Sequence, residues 1–158
     1  AGKYSVVYIV HIRDIIVPTH KKELKYFEHA KVNTKLTFDN FVVGAFNREA
    51  SQASLLIARN PGKTFNPLFI YSNSGLGKTH LLHAVGNYIR SKNKSMRVLY
   101  ISSDQFIEEY FRCIREKGFE ALKNRFRSID VILIDDIQFL ASREKVGEYF
   151  FSIFNLFQ

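Results

Sequence analysis

Pro67-Leu68-Phe69-Ile70-Tyr71 is followed by Ser72-Asn73-Ser74-Gly75-Leu76-Gly77-Lys78-Thr79 and then by His80-Leu81-Leu82. The order is an apolar run, a loop of small residues ending in Gly-Lys-Thr, and the opening of a helical pattern. This is the strand, loop and helix context of a phosphate-binding P-loop. Backbone N–H groups from Asn73 to Gly77 would point inward at a triphosphate, aided by the positive end of the following helix. Gly75 and Gly77 allow the dihedrals and close approach that a side chain would block. Lys78 would reach the β- and γ-phosphates, and the Thr79 hydroxyl would ligate Mg²⁺. The pattern departs from G-x-x-x-x-G-K-[ST] at its first position, where Ser72 stands for Gly. That position begins the loop and does not line the phosphate, so a modest cost is expected.

A second half-site lies downstream, in Ile129-Asp130-Val131-Ile132-Leu133-Ile134-Asp135-Asp136. A run apolar on both faces suits a buried strand of a parallel sheet, and open α/β sheets bind ligands beyond the carboxyl ends of such strands. Asp135 would hold Mg²⁺ through water, and Asp136 would orient or deprotonate the attacking water. An aspartate ending a strand can also simply start a turn. Many P-loop ATPases carry Glu in the second acidic position; the shorter Asp136 implies slow hydrolysis of ATP to ADP, suited to a switch and not to a motor or a metabolic enzyme.

The chain has 158 residues, 46% of them hydrophobic, enough for one domain or part of one with a real core. No apolar run is as long as a membrane span, and the start carries no signal-peptide pattern. The single cysteine, Cys113, excludes an internal disulfide and fits a reducing cytosol, so a cytoplasmic location is expected. The histidines form no convincing metal set; His80 and His83 fall on the first turns of the P-loop helix, where packing or solvent is expected. The net charge of +8 points to an anionic partner, most commonly nucleic acid. The start at Ala1 and the stop at Gln158 inside an apolar pattern read as a fragment.

Along the chain, residues 4–17 read as strand closed by Pro18, and 19–36 as a linker or exposed helix. Thr37–Gly44 reads as an extended lead-in, and Asn47 as the cap of a helix ending at Pro61-Gly62. After the P-loop helix, to about Ile89, come a strand at Arg97–Ser102 and a helix capped by Asp104. That helix has Ile107, Tyr110, Phe111 and Ile114 on one face and stops at Gly118. A short helix at 119–127 precedes the acidic strand. Ser142 is expected to cap a last helix bearing Val146, Tyr149, Phe150, Ile153 and Phe157.

Four segments, taken together, are more specific than a P-loop alone. They are Phe38–Gly44 (FDNFVVG), Asn66–Tyr71 (NPLFIY), Gly75–Asn87 (GLGKTHLLHAVGN) and Leu133–Leu140 (LIDDIQFL). In this order and spacing the chain from about Asn33 to Gln158 resembles the DnaA family of bacterial chromosomal replication initiators. The likeness is to the N-terminal half of the AAA+ ATPase domain, leaving residues 1–32 as an unassigned flanking segment. The resemblance implies an α/β P-loop AAA+ core, a parallel sheet flanked by helices and truncated before its central and last strands. It implies binding of ATP or ADP with Mg²⁺, through Gly75, Leu76, Gly77, Lys78 and Thr79, with Thr79 and Asp135 at the metal. Val42, Val43 and Gly44 would lie near the adenine.

It implies further that the ATP form oligomerises on origin DNA, opens an AT-rich duplex and recruits the replicative helicase, with acidic phospholipids as partners of other regions. Residues 104–127 take the place of the helical insertion of initiators. Phe111, Arg143 and Lys145 match positions used against single-stranded DNA. Cations can meet its phosphates without sequence preference and an aromatic can stack on its bases. Phe111 equally fits the apolar face of its own helix. In the family's sheet the strand between the P-loop strand and the Asp135 strand comes from beyond the position of Gln158. Without it these two strands would face a gap of unpaired backbone and this stretch is expected to be poorly stable, unless residues 4–12 pair there. A helicase loader, a regulatory relative of the initiator, or a metabolic P-loop enzyme are the alternative readings.

Overall fold

In a computed structural model the described residues are 4–11, 31–63, 67–73, 75–141, 148, 150 and 155. The elements are β1 (Tyr4–His11), α1 (Arg48–Arg59), β2 (Leu68–Asn73), α2 (Lys78–Lys92), β3 (Val98–Ser102), α3 (Ser103–Lys117), α4 (Phe119–Arg127), β4 (Val131–Asp135) and α5 (Gln138–Ala141). The strands form one sheet in the order β2-β1-β4-β3.

β3 and β4 are parallel, with Val98 opposite Val131 and Ser102 opposite Asp135. β1 runs antiparallel to both β2 and β4, so β2, β4 and β3 all point the same way. The α/β framework with its parallel strands is therefore present, and β1 enters it in the opposite sense. It fills the gap between the P-loop strand and the acidic strand, its Ile9 standing opposite both Leu68 and Leu133. The segment, Tyr-Ser-Val-Val-Tyr-Ile-Val-His, is rich in β-branched and aromatic residues, the types that fit a pleated surface.

β4 is buried along its whole length and divides two cores. Alternate residues point to opposite faces. Val131 and Leu133 join Ile57, Ile70, Leu81, Leu82, Val85 and Ile89 beneath α1 and α2. Ile132 and Ile134 join Leu99, Ile101, Phe106, Tyr110, Leu122 and Phe126 beneath α3 and α4. By the same alternation Asp135 belongs to the α2 face, toward the P-loop helix.

Local corrections concern the caps. Asn47 precedes α1 but makes no side-chain cap. Its Oδ1 accepts from the Gly44 N–H at 2.7 Å and its Nδ2 donates to the Val42 carbonyl at 3.0 Å, because the loop it closes leaves those groups needing partners. Ser102, not Asp104, caps α3: the Ser102 hydroxyl accepts from the Gln105 N–H and the Gln105 side chain accepts from the Ser102 N–H, a reciprocal capping box. The strand expected over residues 4–17 is described as far as His11, its continuation lying outside the described residues. The same holds for most of the expected helix after Ser142. Phe150 is described there, packed edge-on against Phe106 with centroids 5.8 Å apart.

Candidate functional site

The start of α2 is built to receive something. Its N-cap is Gly77, in the left-handed conformation at φ 87°, which offers no side chain to the first-turn N–H groups, and that turn contains no acidic residue. Helix starts carry unsatisfied N–H groups and a partial positive charge, so this one is open to an anion. Gly75 is also left-handed, at φ 83°, with nothing within 4 Å of where a Cβ would stand. At Gly77 a Cβ would lie 2.7 Å from the Phe41 ring, so that position needs glycine for conformation and for space. Leu76, between them, is part-exposed. Ser72 lies within β2, opposite Ser5, so the position where the motif favours glycine belongs to the strand.

Lys78 is only 7% exposed, and burial pushes its pKa down, while the carboxylates of Asp135 and Asp136 push it back up. A buried ammonium at a bare helix start is a natural counterpart for phosphate. Across the sheet end, Asp135 is 4% exposed, and its Oδ2 accepts from the Thr79 hydroxyl at 2.6 Å. This one bond joins the loop and the acidic strand, which are 56 residues apart in sequence. Tyr100 of β3 donates its hydroxyl to the same oxygen at 3.0 Å, and the Asp136 N–H donates to Oδ1 at 3.0 Å. Asp136 itself is left-handed at φ 56°, uncommon for a residue with a Cβ, and its carbonyl accepts from the Phe139 N–H as the chain turns into α5. It thus starts a turn, and its side chain accepts from Gln138 Nε2 at 3.5 Å.

With its proton committed to Asp135, Thr79 Oγ1 keeps lone pairs for a cation. Among the described residues no group of three or more His, Cys, Asp or Glu could hold a metal unaided.

The lead-in segment is tied to α2. His80 Nε2 lies 2.7 Å from the Thr37 carbonyl and 3.0 Å from Asn40 Oδ1, and Phe41 packs edge-on against the His80 ring. Asn87 donates to the carbonyls of Asn33 and Leu36. Val32 is buried, and a Cβ at Gly86 would lie 2.8 Å from it. Val43 is 51% exposed, beside the still more exposed Val42 and Phe46, and Gly44 is held by Asn47. Phe111 is 47% exposed, so it does not serve the core of its own helix, which Phe106, Tyr110 and Phe126 fill. Arg143 and Lys145 lie outside the described residues.

The sequence reading missed Tyr100 and left His83 undecided. Tyr100 sits half-buried in β3, and its polar end was visible, but its target depended on the β3–β4 register. His83, read as packing or solvent, is buried: its Nδ1 accepts from the Asn33 N–H at 3.0 Å and its ring lies 3.8 Å from that of Tyr100.

Residues 32–158 match a family described as the bacterial DnaA ATPase domain. Domain III of the replication initiation protein DnaA from Thermotoga maritima is 40% identical, with a TM-score of 0.76 over 80% of this chain and 53% of that one. AMPPCP-bound DnaA from Aquifex aeolicus is 39% identical, with a TM-score of 0.71 over 79% of this chain and 39% of that one. A replication initiator DnaA bound to AMPPCP and single-stranded DNA matches at 39% identity and a TM-score of 0.72, over the same shares of the two chains. The chain thus spans about two fifths to half the length of these structures.

Proposed function

The chain belongs to the family of bacterial DnaA ATPase domains, and from that premise we propose that it is the nucleotide-binding part of a chromosomal replication initiator. The observation that carries the reading is the Thr79–Asp135 hydrogen bond at 2.6 Å, which brings a P-loop and an acidic strand together beside an uncapped helix start. ATP binds with its phosphates against the N–H groups of Gly75, Leu76 and Gly77 and the Lys78 ammonium. Thr79 and, through water, Asp135 would hold Mg²⁺, which would supply charge neutralisation at the phosphates. Asp136 orients or deprotonates the attacking water, and Val43 and Gly44 flank the adenine. The AMPPCP-bound relatives support nucleotide binding.

An equilibrium titration with ATP tests this, in the full-length protein. Lys78→Ala should abolish binding, while Asp136→Asn should bind ATP normally and hydrolyse it about 100-fold more slowly in single turnover, within the range of lost acid–base catalysis. Equal affinity of the wild type and Lys78→Ala would remove the P-loop assignment. Unchanged hydrolysis in Asp136→Asn would remove its role.

The ATP form acts in the cytoplasm, assembling with copies of itself on origin DNA, opening the duplex and recruiting the replicative helicase. Acidic phospholipids are partners of regions outside this stretch. Single-stranded DNA contact through Arg143, Lys145 and Phe111 is supported by the DNA-bound relative and by the exposure of Phe111. Arg143→Ala with Lys145→Ala should weaken single-strand binding across sequences and reduce the slope of log affinity against log salt by about 1.4, at roughly 0.7 per phosphate contact. An unchanged slope would return both to an ordinary solvated helix start. The similarity to initiators supports this function over a helicase loader, a regulatory relative or a metabolic enzyme.

A further inference from the structure

Asp135 is held by three donors, from α2, from β3 and from the turn that follows β4. Thr79 of α2 and Tyr100 of β3 both donate to Oδ2, and the backbone N–H of Asp136 donates to Oδ1. A carboxylate offers about four acceptor sites; the described residues fill three of them, two on Oδ2 and one on Oδ1. Of the three donors, Thr79 is shared with the candidate metal site and the Asp136 N–H comes with the turn. Tyr100 alone reaches Asp135 from another strand and belongs to no part of the nucleotide-binding motif. It gets there by register: Tyr100 stands opposite Leu133, two residues before Asp135 on the same face of the sheet. Its ring is fixed from behind by His83, at 3.8 Å between centroids, and His83 is fixed in turn by the Asn33 N–H.

We propose that Tyr100 is a positioning residue for the metal-side carboxylate. It pins Oδ2 of Asp135 so that Oδ1 is presented to the water shell of Mg²⁺. This rests on the nucleotide-site reading above. Partners that orient metal ligands in this way commonly change metal affinity without touching the metal.

The test is binding of a fluorescent ATP analogue to the full-length protein, first in EDTA and then across a Mg²⁺ titration. Tyr100→Phe keeps the ring on His83 and removes only the hydroxyl. The affinity in EDTA should stay within twofold of wild type, while the Mg²⁺ concentration at half-maximal effect should rise about 10-fold, the low end for loss of such a partner. A Mg²⁺-responsive wild type with an unchanged midpoint in Tyr100→Phe overturns the inference alone. So does an equal loss in EDTA and in Mg²⁺, which marks a structural role. A wild type indifferent to Mg²⁺ overturns the metal-site reading and the inference with it.

Discussion

His83 accepts the Asn33 N–H on Nδ1, so a proton arriving at that nitrogen must break the bond. Desolvation is the main cause holding its pKa below the ordinary 6.5; Asp135 acts the other way and His80 adds to the lowering. A folded-state pKa below the unfolded one means that the unfolded chain takes up the proton first. Stability is therefore unaffected by His83 at high pH and is lost as pH falls below about 6.5, until the folded form also protonates. His83→Asn, which keeps an acceptor but cannot titrate, should show a shallower fall of melting temperature between pH 7 and 5 than wild type. Parallel curves would mean that His83 is not the group responsible. Sequence pattern gave no sign of this, because a histidine on the first turns of a helix can as easily face water.

At the scale of elements, most of the chain was legible and the ends of elements were not. β4 was readable as a strand buried on both faces because its apolar run has no alternation, and it is buried throughout. α2 was legible from the P-loop before it. The start of α3 was not: Asp104 and Ser102 are both capping types, and only the Gln105 that answers Ser102 decides between them. Asn47 has the right chemistry for a cap and uses it on the loop behind it. Phe111 lies one position from Tyr110 on α3, yet Tyr110 is 2% exposed and Phe111 47%. A helix turns about 100° per residue, so the margin of an apolar stripe falls inside or outside the core according to what packs against it. Here Phe106, Tyr110 and Phe126 already fill that space.

At the scale of the whole molecule, the sheet is completed by a strand from outside the part that matches the family: β1 spans residues 4–11 and the match begins at 32. It pairs on both sides, with Ile9 opposite Leu68 and Leu133. Ile9→Pro would delete an N–H in the interior of the sheet and leave a carbonyl partner without its bond, a cost of about 1–3 kcal/mol for each buried group orphaned. The expected result is a clear fall in melting temperature with faster amide exchange in both β2 and β4. An unchanged melting temperature would show that residues 4–11 do not hold the centre of the sheet.

The sequence by itself determined the α/β fold class, since the P-loop pattern and the acidic strand are written in contiguous residues whose chemistry does not depend on distant partners. It likewise offered Gly75, Gly77, Lys78, Thr79, Asp135 and Asp136 as candidates for the site. Only the tertiary structure decided that β1 lies antiparallel at the centre of the sheet, and that Tyr100 meets Asp135 with His83 behind it. Strand order and register are set by pairing between residues far apart in the chain, such as Tyr100 opposite Leu133. A shift of one residue would turn that hydroxyl away from Asp135 to the other face.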